Sequence, residues 1–215
     1  MSTIFLNSRK FGIPKDQVEQ ETRWLLDQVL LRGGKLPLGG TITAKNTIKQ
    51  GYRHLKAAIN TQSDLYQPRE NMKGDLDNYL LLSYYRNHLI HLFINEAFIA
   101  CSLMGFDYDD VKDHGVPRRD LWNKTKIISS YLNWEFVIED RIKTSDDFDK
   151  LIKELIERQF LTENKQGDIL VHENGMERVM FLCNLIWPLI DTYFITMLKV
   201  LKMIPHTFLS EKDLK

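Results

Sequence analysis

Three side chains on one stretch, His88, His91 and Glu96, are the nearest thing in this 215-residue sequence to a metal set or an acid–base pair. Imidazoles ligate zinc and a carboxylate can complete such a site. The spacing argues against it. On a helix turning about 100° per residue, Glu96 points roughly 80° or more away from either histidine, so a metal would need ligands from other segments. His91 could act as a general base, but no nucleophile with a supporting partner is visible beside it. Asp107, Asp109, Asp110 and Asp113 cluster in one loop without the calcium-loop pattern. There is no Walker loop, GxGxxG, CxxC, HExxH or GxSxG. No position is assigned a catalytic, cofactor-binding or metal-ligating role, and no cofactor is expected.

The two histidines sit in Leu80 to Met104, the longest mostly apolar run of the chain. Arg86, Asn87, His88, His91, Asn95 and Glu96 interrupt it, and a charged group at mid-bilayer depth costs about 2.5–3.5 kcal/mol on insertion scales, so a lipid-facing helix is not expected. At helical spacing Tyr84, Asn87, His88, His91, Asn95 and Ser102 fall within about a third of the circumference. The other faces are apolar. The stretch therefore reads as a central buried helix, about residues 80–104, with one internal polar stripe that fixes register or serves as a docking surface.

The remaining elements read as a mainly α fold. Pro14 opens a helix that Gly33-Gly34 closes, with Val18, Thr22, Leu25 and Val29 on one side and Trp24 and Leu31 widening it. Thr43 caps a second helix running to Ile59, with Ile48, Tyr52, Leu55 and Ile59 inward. Its opposite side carries Lys45, Lys49, Arg53 and Lys56, which could meet phosphates but reads as a solvated face. Thr61 to Lys73 reads as a surface loop, and Asp75 or Asp77 as the cap of the central helix. From Arg118 a third amphipathic helix places Leu121, Ile128, Tyr131 and Leu132 inward. Ser145 caps a helix that is followed by two short strands around Lys165-Gln166-Gly167, a winged-helix-like unit over about residues 145–175. Its mixed charges do not favour nucleic acid. In the last long segment Val179, Leu182, Ile186, Leu189, Ile190, Tyr193, Met197 and Leu201 define a buried stripe packed on the central helix, and Asp191 prevents a clean membrane span. The expected organisation is one helical domain over 1–215, with a helical bundle over 1–115 and the winged-helix-like unit plus a long helix over 116–215.

Composition adds bounds. Lys plus Arg equals Asp plus Glu at 29 each, so no global field favours nucleic acid or an anionic membrane. Cys101 and Cys183 both lie in apolar helical stretches and read as buried thiols of a reducing compartment. The N-terminus lacks the pattern of a secretory signal.

The run Tyr84-Tyr85-Arg86-Asn87-His88-Leu89-Ile90-His91-Leu92-Phe93, continuing through Glu96 to Leu103, resembles the central helix of the C-terminal region of glycerol-3-phosphate and dihydroxyacetone-phosphate acyltransferases. The resemblance extends back through Gly12-Ile13-Pro14 and forward to Phe181–Tyr193. It implies a non-catalytic helical domain that supports acyl transfer from acyl-CoA or acyl-carrier protein to the sn-1 hydroxyl in glycerolipid synthesis. The family's general base is a His followed after four residues by an Asp, in a separate acyltransferase domain. This chain has no such spacing; His114 to Asp120 leaves five residues between and reads as a coincidence. The implied partner is that catalytic domain, in cis or separately encoded, with acyl donor and peripheral membrane contact reached only through it, and an intracellular location. A stand-alone interaction protein and a winged-helix nucleic-acid binder are the other readings.

Overall fold

The computed structural model describes residues 2–7, 12–36, 42–69, 76–132, 134–136 and 142–207. The fold is mainly α. By internal contacts it divides into two compact units, Met1–Ile94 with Trp134–Asp140, and Asn95–Asn133 with Arg141–Lys215.

The first unit holds α1 (Ser2–Asn7), β1 (Ile13–Pro14), α2 (Lys15–Leu31), α3 (Ala44–Leu55), β2 (Ile59–Gln62), β3 (Leu65–Pro68) and the first part of α4 (Leu76–Leu103). Helix α2 buries Val18, Thr22, Leu25 and Val29 as its periodicity predicts, together with Gln28, while Leu31 is exposed rather than part of that side. Its end is set by glycine. Gly33 takes φ +71°, its N–H donates to the Leu30 carbonyl at 3.0 Å, and Gly34 N–H reaches back to Val29 at 2.9 Å. That pair of bonds satisfies two last-turn carbonyls and needs a residue that tolerates the left-handed region.

Thr43 caps α3, its hydroxyl accepting from Asn46 N–H at 3.2 Å. The helix stops at Leu55, four residues short of the expected end, and Ile59 starts a strand. Residues 59–68 form an antiparallel hairpin turned by Ser63, at φ 49°, and Asp64; β1 pairs with its second strand, giving the order β1-β3-β2. The segment expected as loop is thus sheet over Thr61–Pro68. Ile4, Ile13, Val18, Ile48, Leu55, Ala58, Ile59 and Leu82 form the core of this unit. The expected cap at Asp75, and the side chain of Asp77, lie outside the described residues.

The second unit takes the end of α4, a π-helical turn at Asp110–His114, α5 (Arg118–Tyr131), α6 (Ser145–Glu157), β4 (Leu161–Glu163), β5 (Ile169–Val171) and α7 (Met176–Thr207). Leu121 and Leu132 are buried on and after α5, Ile128 is half-buried, and Tyr131 is exposed, against the expectation that it faces inward. Thr144, not Ser145, caps α6: its hydroxyl accepts from Asp147 N–H at 3.2 Å while the Asp147 carboxylate accepts from Thr144 N–H at 3.1 Å. The Thr144 hydroxyl also donates to that carboxylate at 2.8 Å, and this bond first, then the Thr144 and Lys143 N–H groups, hold the Asp147 carboxyl below its ordinary range, so this cap weakens as pH falls through that lowered value.

Phe148, Ile152 and Leu155 of α6 face the core, and β4 and β5 pair antiparallel behind them. Val116 and Ile169 exchange both backbone bonds at 2.8 Å, adding one more rung to this small sheet. Helix α7 enters at Gly175, where a Cβ would stand 2.1 Å from the Phe160 carbonyl oxygen, closer than any side chain permits. Its first turns pack as expected on the end of α4: Val179 and Leu182 close a contact with Ile99, Ala100, Leu103 and Leu155.

Candidate functional site

The polar side chains of α4 do not form an internal stripe. Tyr84 is 61% exposed, Asn87, His88 and His91 are exposed, Asn95 is half-buried, and only Ser102 is fully buried. Where partners are seen, most lie within a turn of the same helix. His88 donates a ring N–H to the Tyr84 carbonyl at 2.9 Å and stands edge-on to the Tyr84 ring at 4.8 Å. Asn87 accepts from its neighbour Arg86 at 3.2 Å, and the Ser102 hydroxyl donates to the Phe98 carbonyl at 2.7 Å. Asn95 reaches further, accepting from Ile142 N–H at 3.5 Å. The exposed groups cost little desolvation, so the internal stripe expected here is replaced by a largely solvent-facing strip, and the docking-surface reading of it stands untouched. Asn87→Ala and His91→Ala should each shift unfolding free energy by less than about 0.5 kcal/mol, as surface changes do. Urea titration checks this, and a loss of about 2 kcal/mol would restore the buried reading.

The buried polar chemistry lies one face over. Glu96 is 4% exposed and accepts from Arg158 Nη1 at 2.8 Å; Arg158 Nη2 reaches Glu154 at 3.1 Å. The pair joins α4 to the end of α6 across 62 residues of sequence. Glu96 therefore holds a guanidinium. Among the described residues no group of three or more His, Cys, Asp or Glu is placed to hold a metal ion. His114 faces Asp110 at 3.6 Å in its exposed turn. Arg118 spans Asp149 at 2.8 Å and Glu163 at 3.0 Å, so two of the cations around α6 and its hairpin are tied to carboxylates.

Cys101 and Cys183 are buried free thiols with sulfurs 3.2 Å apart, well beyond the length of a disulfide bond. The hydrogen bond to Cys183, then burial, pushes the Cys101 thiol far above its ordinary value.

The largest departure from the sequence reading is on α7. Val179, Leu182 and Ile186 are buried as expected, but Tyr193 (37% exposed), Met197 (56%) and Leu201 (58%) are not, nor are Phe194 and Leu198. From Trp187 to Lys202 the helix is uncovered on most sides. At about 100° per residue Trp187, Ile190, Tyr193, Phe194, Met197, Leu198 and Leu201 share roughly half the circumference, and Asp191, Thr192, Thr196, Lys199 and Lys202 share the other. By length and composition Met176–Lys202 is apolar enough to cross a membrane. Its first turns are, however, packed inside the second unit, where Val179, Leu182 and Ile186 are buried.

The chain is thus mainly helical, with a buried ion pair between α4 and the end of α6, two buried thiols and an uncovered stretch of α7. The chain matches the family described as the glycerol-3-phosphate acyltransferase C-terminal region over residues 1–215 and belongs to it. No curated protein matches the chain.

Proposed function

We propose that this chain is the non-catalytic helical domain of a glycerolipid acyltransferase, and that it supports acyl transfer from acyl-CoA or acyl-carrier protein to the sn-1 hydroxyl of glycerol 3-phosphate or dihydroxyacetone phosphate. Its partner is the acyltransferase domain, joined in cis or encoded separately, and acyl donor and membrane are reached through that domain inside the cell. The uncovered apolar face of α7 is the observation that carries this reading. A free surface of this size and aromatic content marks an interaction site. Asp191 borders the apolar arc, about 20° from Leu198, so at the rim of a protein groove it can stay in water. Membership over residues 1–215 in a family named for the C-terminal region of such an enzyme supports the acyltransferase domain as that partner. The sequence lacks the His-four-residues-Asp spacing of the family's base, so the chain incubated with glycerol 3-phosphate and acyl-CoA should release no free CoA above the buffer rate. Turnover by the chain alone would overturn the non-catalytic assignment.

A further inference from the structure

The basic side of α3, read from sequence as solvated, lines a concave groove in the first unit. Lys45, Lys49 and Arg53 recur every four residues along one edge, and Lys15, at the first position of α2, faces them. Tyr52 and Tyr66 form part of the wall, their rings 5.9 Å apart and tilted by 50°. The groove holds about 470 Å³, within the range of small-molecule sites. Among the described residues its only carboxylate is Glu19, which Arg23 already engages at 3.3 Å.

Local stability does not account for these cations. Like charges four residues apart on a helix repel, and a lysine at a helix N-terminus opposes the dipole. Lys45, Lys49 and Arg53 have no carboxylate within 4 Å among the described residues. Lys15 reaches only a neutral acceptor, the Ser63 carbonyl at 2.5 Å, while its Nζ lies 6.0 Å from the centre of the Tyr66 ring. Four cations against one occupied carboxylate, on a chain with net charge zero, concentrate positive potential in this concavity. The two tyrosine rings, tilted to one another, add aromatic wall beside it.

We propose that this groove binds an organic phosphate, its phosphate oxygens taken by Lys15, Lys49 and Arg53 and its ring or apolar portion laid on Tyr52 and Tyr66. Lysine and arginine donors recognise phosphate through charge-assisted hydrogen bonds, and aromatic faces accept a flat or apolar group without sequence of polar contacts. The inference does not depend on the acyltransferase reading. A soluble nucleotide and a phospholipid headgroup share this chemistry, and two arms separate them. In the first, the full chain is titrated with ADP and with inorganic phosphate by calorimetry. In the second, it is sedimented with phosphatidylcholine vesicles with and without phosphatidic acid. Saturable ADP binding that Lys49→Glu with Arg53→Glu weakens at least tenfold supports the site, as does phosphatidic-acid-dependent sedimentation lost in the same variant; whichever arm responds identifies the source. Tyr66→Leu should weaken the organic ligand and leave inorganic phosphate unchanged. Lys49 and Arg53 are exposed, so the charge-reversed chain keeps its native melting temperature. No binding in either arm, or binding indifferent to charge reversal, overturns the proposal.

Discussion

Arg158→Ala should cost about 3–5 kcal/mol of folding free energy, the range for breaking a buried ion pair from one side. The size follows from what is left behind. Glu96 is 4% exposed, and Arg158 Nη1 sits 2.8 Å from its carboxylate. Without the guanidinium a carboxylate stays in a region walled by Ile99, Ala100, Leu103 and Leu155, where the charged form is poorly solvated. Glu96→Gln should be milder, because it removes the buried charge, and Arg158 keeps its bond to Glu154 at 3.1 Å with 22% of its side chain in solvent. Urea unfolding of both variants at pH 7 measures the effect; a loss below about 1 kcal/mol for Arg158→Ala would mean that the pair does not hold α4 to α6.

That ion pair was beyond the reach of the sequence for a physical reason. Helical periodicity groups side chains onto faces, so it separated Glu96 from the histidines correctly, but it does not say what covers a face. Coverage is decided by residues far along the chain, and Arg158 lies 62 positions away. The same gap explains the α4 strip. Tyr84, Asn87, His88 and His91 do share a face, yet that face meets water. It explains α7 as well, where Val179, Leu182 and Ile186 are covered and Tyr193, Met197 and Leu201, on the same stripe, are not.

Local signals were read more faithfully. The Thr43 cap, the glycine stop at 33–34 and the hairpin around Gly167 each rest on a residue's own conformational preference. The α6 cap moved by one residue because Thr144 and Ser145 are both competent, and the choice falls to the residue three positions before a carboxylate, Asp147. The hairpin at residues 59–68 is not legible in the sequence because its second strand, Leu-Tyr-Gln-Pro, is short and ends in proline, a pattern that reads as loop until β1 pairs with it.

Of the features left over, the uncovered half of α7 has the widest consequence. Phe194 (60% exposed) and Leu201 (58%) lie on one side of it, touch no core, and tolerate glutamate without loss of helix propensity. Phe194→Glu with Leu201→Glu should therefore leave the fold intact while placing two charges in the middle of the docking face. Burying each parent side chain in a partner is worth about 1.5–3 kcal/mol, so removing both weakens association by roughly 3–6 kcal/mol, a hundredfold or more. Titration calorimetry of the parent and substituted chains against the acyltransferase domain of the same enzyme is the direct measurement. Saturable one-to-one binding by the parent, lost in the substituted chain, is the predicted result. A parent chain that does not bind, or a substituted chain that binds equally well, would contradict the assignment of α7 as the docking surface.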